Sequence, residues 1–196
     1  MARDGLGEYR DKRDLAKSGE PSGGAAGARS RFVVQRHEAS TSHFDFRLEV
    51  GDVLKSWAVP KGPSTDPGQK RLATPTEDHP LDYASFEGVI PEGYGAGSVV
   101  VWDTGPYRNL TEHRGEPIDM DEALERGHVK VRLEGAKLTG AFALTRTPMR
   151  GREQWLLVKV DDEDADRRAD PARGRPESVL SGRTNADVAA DEDRER

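Results

Sequence analysis

The chain has no cysteine, which excludes disulfides, thiolate nucleophiles and every zinc site built on sulfur. No apolar run is longer than four residues, so a membrane-spanning helix of roughly 20 residues is excluded as well. The opening MARDGLGEYRDKRD has no hydrophobic stretch of the kind a secretory leader needs, and the expected compartment is the cytoplasm. Apolar residues are scarce, at 34% of the chain against about 45–50% in an ordinary globular protein. For 196 residues this implies one domain with an unusually polar interior, or one domain with tails that do not fold.

The shortage is uneven. Residues 161–196 lack aromatics, Ile and Met, and hold 12 acidic against 7 basic side chains, most of the net charge of −6. That composition predicts an acidic disordered tail. Residues 1–30 read as an N-terminal arm running into a flexible Gly/Ala/Ser-rich segment at 15–30. The folded domain is then expected over 31–160. It is close to neutral, so a nucleic-acid partner would need a local basic patch, with Lys55, Lys61, Lys70 and Arg71 as candidate backbone contacts.

Within 31–160 the dominant pattern has period two. Phe44, Phe46, Leu48 and Val50 alternate with His43, Asp45, Arg47 and Glu49, which predicts a strand with one apolar and one polar face. Gly51-Asp52 then VLKSWAV predicts a hairpin closed by Pro60. Further strands are expected at 31–35, 71–76, 86–90, 98–103, 129–134, 138–145 and 155–160. One helix is marked by Asp119 as N-cap, Glu122 three residues on and Gly127 past its end. Many short strands and little helix predict a mainly β barrel or sandwich.

A solvent-facing strand normally carries Lys, Glu, Thr and Ser; this one presents His43, Asp45 and Arg47 in succession. His37 precedes them across EASTS, a bend that can fold it back toward the strand. Two imidazoles and a carboxylate form a mixed ligand set suited to Mn, Fe, Zn or Ni. Arg47 beside such a metal offers a planar fork for a phosphate or carboxylate. A second polar cluster, Glu77-Asp78-His79-Pro80, is followed by Tyr83. Taken singly, each of these residues has an ordinary structural use; the combination singles them out. His113 and His128 have no such company.

The run FVVQRHEASTSHFDFRLEVGDVLKSWAVPKGPS, then EDHPLDYASFEGVIPEGYGAGSVVVWD and REQWLLVK, resembles the 3′-phosphoesterase module of bacterial DNA ligase D. The resemblance covers residues 31–160. It implies a compact β-barrel with one or two short helices and a polar active-site concavity. It also implies a manganese-dependent enzyme, other divalent transition metals being possible, that removes terminal ribonucleosides and 3′-phosphates from DNA 3′ ends and leaves a 3′-hydroxyl. By this resemblance His37, His43 and Asp45 hold the metal, Arg47 and His79 bind phosphate, and Tyr83 lies in the same pocket. Gln35 and Glu77 are implied supporting residues, with Arg13, Asp14 and Glu20 of the N-terminal arm assisting. His79 either contacts the phosphate or protonates the leaving oxygen. The family usually reads PEGxYGAG, whereas Pro91–Gly97 is one residue shorter, so this loop is expected to differ. PESVLSGRTNADVAA resembles the linker that follows the module in ligase D. With no polymerase or ligase segment in the sequence, the expectation is a free-standing, monomeric version that cooperates with a separate ligase or polymerase.

Two other readings compete. His43, Asp45 and His79 also satisfy the two-His-one-carboxylate pattern of non-haem iron oxygenases. The stretch from Pro80 to Tyr107 has no Lys or Arg to hold a 2-oxo acid, which counts against it. A non-catalytic DNA-end-binding module would have no need of the full ligand array.

Overall fold

The computed structural model describes residues 5–21 and 30–195. Two short helices open it, α1 (Gly7–Asp11) and α2 (Leu15–Ser18). Of the segment expected to be flexible, 22–29 lies outside the described residues, and the start of the remainder is helical in α2. Then come β1 (Arg31–Glu38), β2 (Ser42–Val50), β3 (Val53–Val59) and β4 (Arg71–Pro80). A turn of 3-10 helix (Leu81–Ser85) leads to β5 (Gly88–Ile90) and β6 (Gly97–Asn109). A small hairpin, β7 (Glu112–His113) and β8 (Glu116–Pro117), was not legible in the pattern. It precedes α3 (Met120–Arg126), β9 (His128–Glu134), β10 (Thr139–Met149) and β11 (Arg152–Lys159). All the expected strands are present, most of them longer than their hydrophobic signal. Helix α3 is capped as its sequence predicts: the Asp119 carboxylate accepts the Glu122 N–H at 2.8 Å, and Gly127 takes φ +79°.

Strand order is β1-β2-β3-β4-β11-β10-β9-β6-β5, and β1 pairs again with β6, so the ladder returns to its start as a near-closed barrel. The alternation of β2 explains the interior. Phe44, Phe46, Leu48 and Val50 point inward and meet Phe32, Trp57, Trp102, Leu133, Phe142 and Leu144 in one apolar cluster.

The other face of β2 is not solvent-facing. Asp45, Arg47 and Glu49 are only 6, 3 and 5% exposed. A second apolar cluster covers this side, formed by Tyr9 of α1 and by Leu81, Tyr83 and Ala84 packed on Val33, Leu54 and Val101. The polar residues of β2 therefore lie between the barrel's outer wall and an added layer.

The expectation of a disordered tail is corrected. Residues 161–195 run across the barrel and include α4 (Pro171–Gly174) and α5 (Asn185–Glu195). Trp102 Nε1 donates to Arg175 O at 2.6 Å, Val179 N to Val101 O at 2.9 Å, and Asn185 Nδ2 to Ser98 O at 2.8 Å. Ala172 and Val188 are buried. Low apolar content prevents a segment from building its own core; it does not prevent a strap from filling gaps in a core already built. Burial of Val188 alone contributes about 1.5–3 kcal/mol. At about 2–4 °C per kcal/mol for a protein of this size, deleting 161–196 is expected to lower the melting temperature by roughly 3–12 °C from that contact alone. An unchanged melting curve would show that the strap does not contribute to stability.

Candidate metal centre and phosphate pocket

The three-residue connection between β1 and β2 sets His37 directly across the ladder from His43, with ring centroids 4.8 Å apart. Asp45 lies two residues on, on the same face. Its Oδ2 is 3.8 Å from His37 Nδ1 and 3.5 Å from His43 Nε2. The three candidate ligand atoms all fall within 4.8 Å of one another, and this is the one such group among the described residues.

The outer nitrogens decide which ring atoms face inward. His37 Nε2 lies 2.7 Å from Gly95 O and His43 Nδ1 lies 3.1 Å from Thr41 O. A carbonyl only accepts, so these nitrogens carry the protons and donate. His37 Nδ1 and His43 Nε2 are then the atoms that face Asp45: protonated they donate to its carboxylate, and neutral they turn lone pairs to the same point, as ligating histidines do. The His43 imidazole is raised above its usual pKa, first by its hydrogen bond to Asp45. Burial alone would raise the Asp45 carboxyl, but Arg47 and the two imidazoles hold it well below the usual range. Two neutral nitrogens and an ionised oxygen fit a first-row divalent metal ion.

Arg47 is locked in place. Its Nε donates to Gln35 Oε1 at 2.8 Å and its Nη1 to Ser56 Oγ at 2.9 Å. Nη2 remains on the Asp45 side, 3.5 Å from Oδ2. Gln35 is itself held, donating to Tyr83 O at 2.9 Å. The Arg47 guanidinium lies 5.0 Å from the Tyr83 ring centroid.

The N-terminal arm closes the far wall. Arg13 bridges Glu20 at 2.9 Å and Glu77 at 2.7 Å, with all three side chains almost fully buried. Its Nη2 reaches His79 Nε2 at 3.3 Å, while His79 Nδ1 lies 2.9 Å from Glu77 O. Nδ1 therefore donates to the carbonyl, and Nε2 accepts from the arginine. Tyr9 and Tyr83 flank the imidazole, with centroids 4.9 and 4.8 Å away. Tyr83 O–H donates to Glu20 Oε1 at 3.1 Å.

A cavity of about 390 Å³ joins these parts, lined by Arg13, His37, His43, Asp45, Arg47, Glu77, His79 and Tyr83. Gln35 and Glu20 support it from behind. Asp14 is not part of it: its carboxylate is largely exposed and faces Lys17 at 3.4 Å. Lys55 is engaged by Asp78 at 2.7 Å, Lys70 is exposed, and Lys61 and Arg71 line a separate groove. His43, Asp45 and His79 do not come together as the oxygenase set, since His79 turns to Arg13; the group that forms is His37, His43 and Asp45. Tyr9, Ser56, Thr41 and Tyr94 were missed by sequence reasoning. Only Tyr94 had a visible signal, an aromatic among three glycines. The short loop at 91–97 supports the trio directly, because Gly95 supplies the carbonyl that orients His37. Gly97 takes φ +140°, and a Cβ there would stand 2.1 Å from Glu38 O, so the loop can approach β1 only with glycine at that position.

Residues 35–146 match the DNA ligase D 3′-phosphoesterase domain family. The chain belongs to that family. It is 51% identical over 187 residues to the multifunctional non-homologous end joining protein LigD of Pseudomonas aeruginosa, covering 91% of this chain and 21% of the relative. It is 42% identical over 164 residues to the LigD of Mycobacterium tuberculosis, covering 82% and 20%. The LigD of Mycolicibacterium smegmatis is 41% identical over 165 residues, covering 82% and 21%. The chain thus spans about one fifth of the length of these multifunctional relatives. The part of the chain that matches the domain contains His37, His43, Asp45, Arg47, His79 and Tyr83. Among the described residues no helix is long and apolar enough to cross a membrane.

Proposed function

We propose that the chain is a manganese-dependent phosphoesterase of DNA 3′ ends in non-homologous end joining. It removes 3′-terminal ribonucleosides and 3′-phosphates and leaves a 3′-hydroxyl for a separate polymerase or ligase. One observation carries this reading: two carbonyl-oriented imidazoles and a buried carboxylate converge beside an arginine whose third nitrogen lies on the same side. His37, His43 and Asp45 would hold the metal, which when bound supplies Lewis-acid polarisation of a phosphoryl oxygen and an oriented water. Arg47 Nη2 matches charge that grows on the equatorial oxygens. Its other donors are fixed by Gln35 and Ser56, so little reorganisation is needed.

His79 has both ring nitrogens engaged, one with Glu77 O and one with Arg13. Burial, then Arg47 and Arg13, hold the imidazole well below its usual 6.5. It is neutral at pH 7 and acts as a positioning residue, fixing Arg13 between Glu20 and Glu77. The native state then binds fewer protons at His79 than the unfolded chain does. Its contribution to stability is fully present above pH 6.5 and lost as pH falls below it. Melting temperature followed from pH 7.5 downward is expected to fall less steeply in His79→Gln than in the wild type. Parallel curves would mean that His79 titrates normally.

The direct test is incubation of a primer–template ending in one ribonucleotide, and of one ending in a 3′-phosphate, with manganese and the protein, followed by product sizing. The ribonucleotide-ended primer is expected to shorten by one nucleotide, the phosphate-ended primer to keep its length and lose its phosphate, and both to end in a 3′-hydroxyl. Unchanged primers across manganese, cobalt and zinc would overturn the proposal.

A further inference from the structure

A second groove opens at the same rim as the metal trio. Arg36, Ser42 and Phe44 line it, each the chain neighbour of a proposed ligand (His37, His43 and Asp45), and Pro60 lines both spaces. Alternation along β1 and β2 therefore puts the groove on the opposite face of the ribbon that carries the ligands. Lys61 and Arg71 form one wall; the other comes from the C-terminal strap, with Arg167, Arg168 and Arg173. Including Arg36, the lining has six cations against two carboxylates, Asp66 and Asp170, in a chain whose net charge is −6.

The wall is built by long-range contacts. Asp166 N donates to Thr65 O at 2.9 Å, and Thr65 Oγ1 donates back to Asp166 O at 3.0 Å. The Asp166 carboxylate accepts the N–H groups of Arg168 at 2.8 Å and Ala169 at 3.1 Å, which fixes the chain direction where the arginines leave it. Buried Ala172 sits against Gly62 and Phe44; a Cβ on Gly62 would stand 2.9 Å from both. Arg36 is engaged by Glu38 at 2.8 Å and Arg167 by Asp161 at 2.8 Å. Arg173 Nε lies 3.7 Å from Asp170 Oδ2 but keeps 89% of its side chain exposed, and Arg168 is exposed too.

We infer that this groove seats the sugar–phosphate backbone of the DNA stem whose 3′ end occupies the metal site, with Arg168 and Arg173 of the strap as phosphate contacts. The inference rests on the reading of the site as a DNA 3′-end phosphoesterase. A strand ending at the trio must leave over the shared rim, and it carries a regular row of phosphates that guanidinium groups match well. A net-acidic protein gains no diffuse attraction for DNA, so the grip must be local.

The test is binding of a fluorescein-labelled primer–template, followed by anisotropy in EDTA so that no turnover is required. Arg168→Glu/Arg173→Glu is expected to weaken binding at least about tenfold and to reduce the slope of log K against log salt by about 2. Arg126→Glu, at another surface, is expected to bind like the wild type. Circular dichroism is expected to give the same β-rich spectrum for the double variant as for the wild type. Wild-type affinity and salt slope in the double variant would overturn the inference, as would equal binding of a polyglutamate peptide and DNA by the wild type. If the wild type binds DNA through these arginines yet cleaves no 3′ end, the groove stands and the proposed activity falls.

Discussion

Asp45→Asn is expected to abolish both ribonucleoside removal and 3′-phosphate removal, with a loss on the order of 10³-fold or more. The amide keeps the size of the carboxylate but removes the charge toward which two imidazoles and Arg47 all point. A metal contributes several kcal/mol of transition-state stabilisation, and about 4 kcal/mol corresponds to roughly 10³ in rate. Calorimetric titration with manganese is expected to show no binding to the variant, and circular dichroism to show that its β-rich fold persists. His37→Ala and His43→Ala are expected to fail in the same way. A folded Asp45→Asn that turns over at the wild-type rate would remove Asp45 from the ligand set.

Arg47→Lys is expected to slow both reactions by about 10- to 150-fold, the rate equivalent of a charged hydrogen bond worth roughly 1.5–3 kcal/mol. Lysine keeps the charge but cannot reach Gln35, Ser56 and the Asp45 side together, as the guanidinium does. Arg47→Ala is expected to be slower still, because it also leaves Gln35 Oε1 and Ser56 Oγ without their donor in a buried setting. Manganese affinity is expected to change little in either, since Arg47 is not a ligand. Single-turnover rates at saturating manganese measure the effect. Wild-type rates in Arg47→Lys would show that only a point charge matters there, and wild-type rates in Arg47→Ala would make Arg47 a structural residue of β2.

Much of the site was legible before any coordinates. His43, Asp45 and Arg47 share a face because a strand has period two, and that follows from local geometry alone. His37 could be placed near them because EASTS can turn the chain. The supporting groups could not be read in the same way. Thr41 and Gly95 act through backbone carbonyls, which every residue possesses, so no side-chain pattern marks them. Tyr9 reads as one aromatic in a charged arm; its burial against His79 depends on where α1 lands. Asp14 sits beside Arg13 in sequence, yet the chain turns it to solvent.

The sequence by itself determined the strands, the hairpin at Gly51-Asp52, helix α3 and the shared face of His43, Asp45 and Arg47. Alternation, turn chemistry and capping are relations between residues a few positions apart, so they need no knowledge of the rest of the chain. Only the tertiary structure decided that the polar face of β2 is covered, that His79 faces Arg13 rather than the ligand trio, and that residues 161–195 are ordered. Each of these is fixed by what packs against a residue from far along the chain. The strap shows this most clearly, because its order comes from Trp102, Val101 and Ser98 on the barrel, and its own composition holds no trace of them.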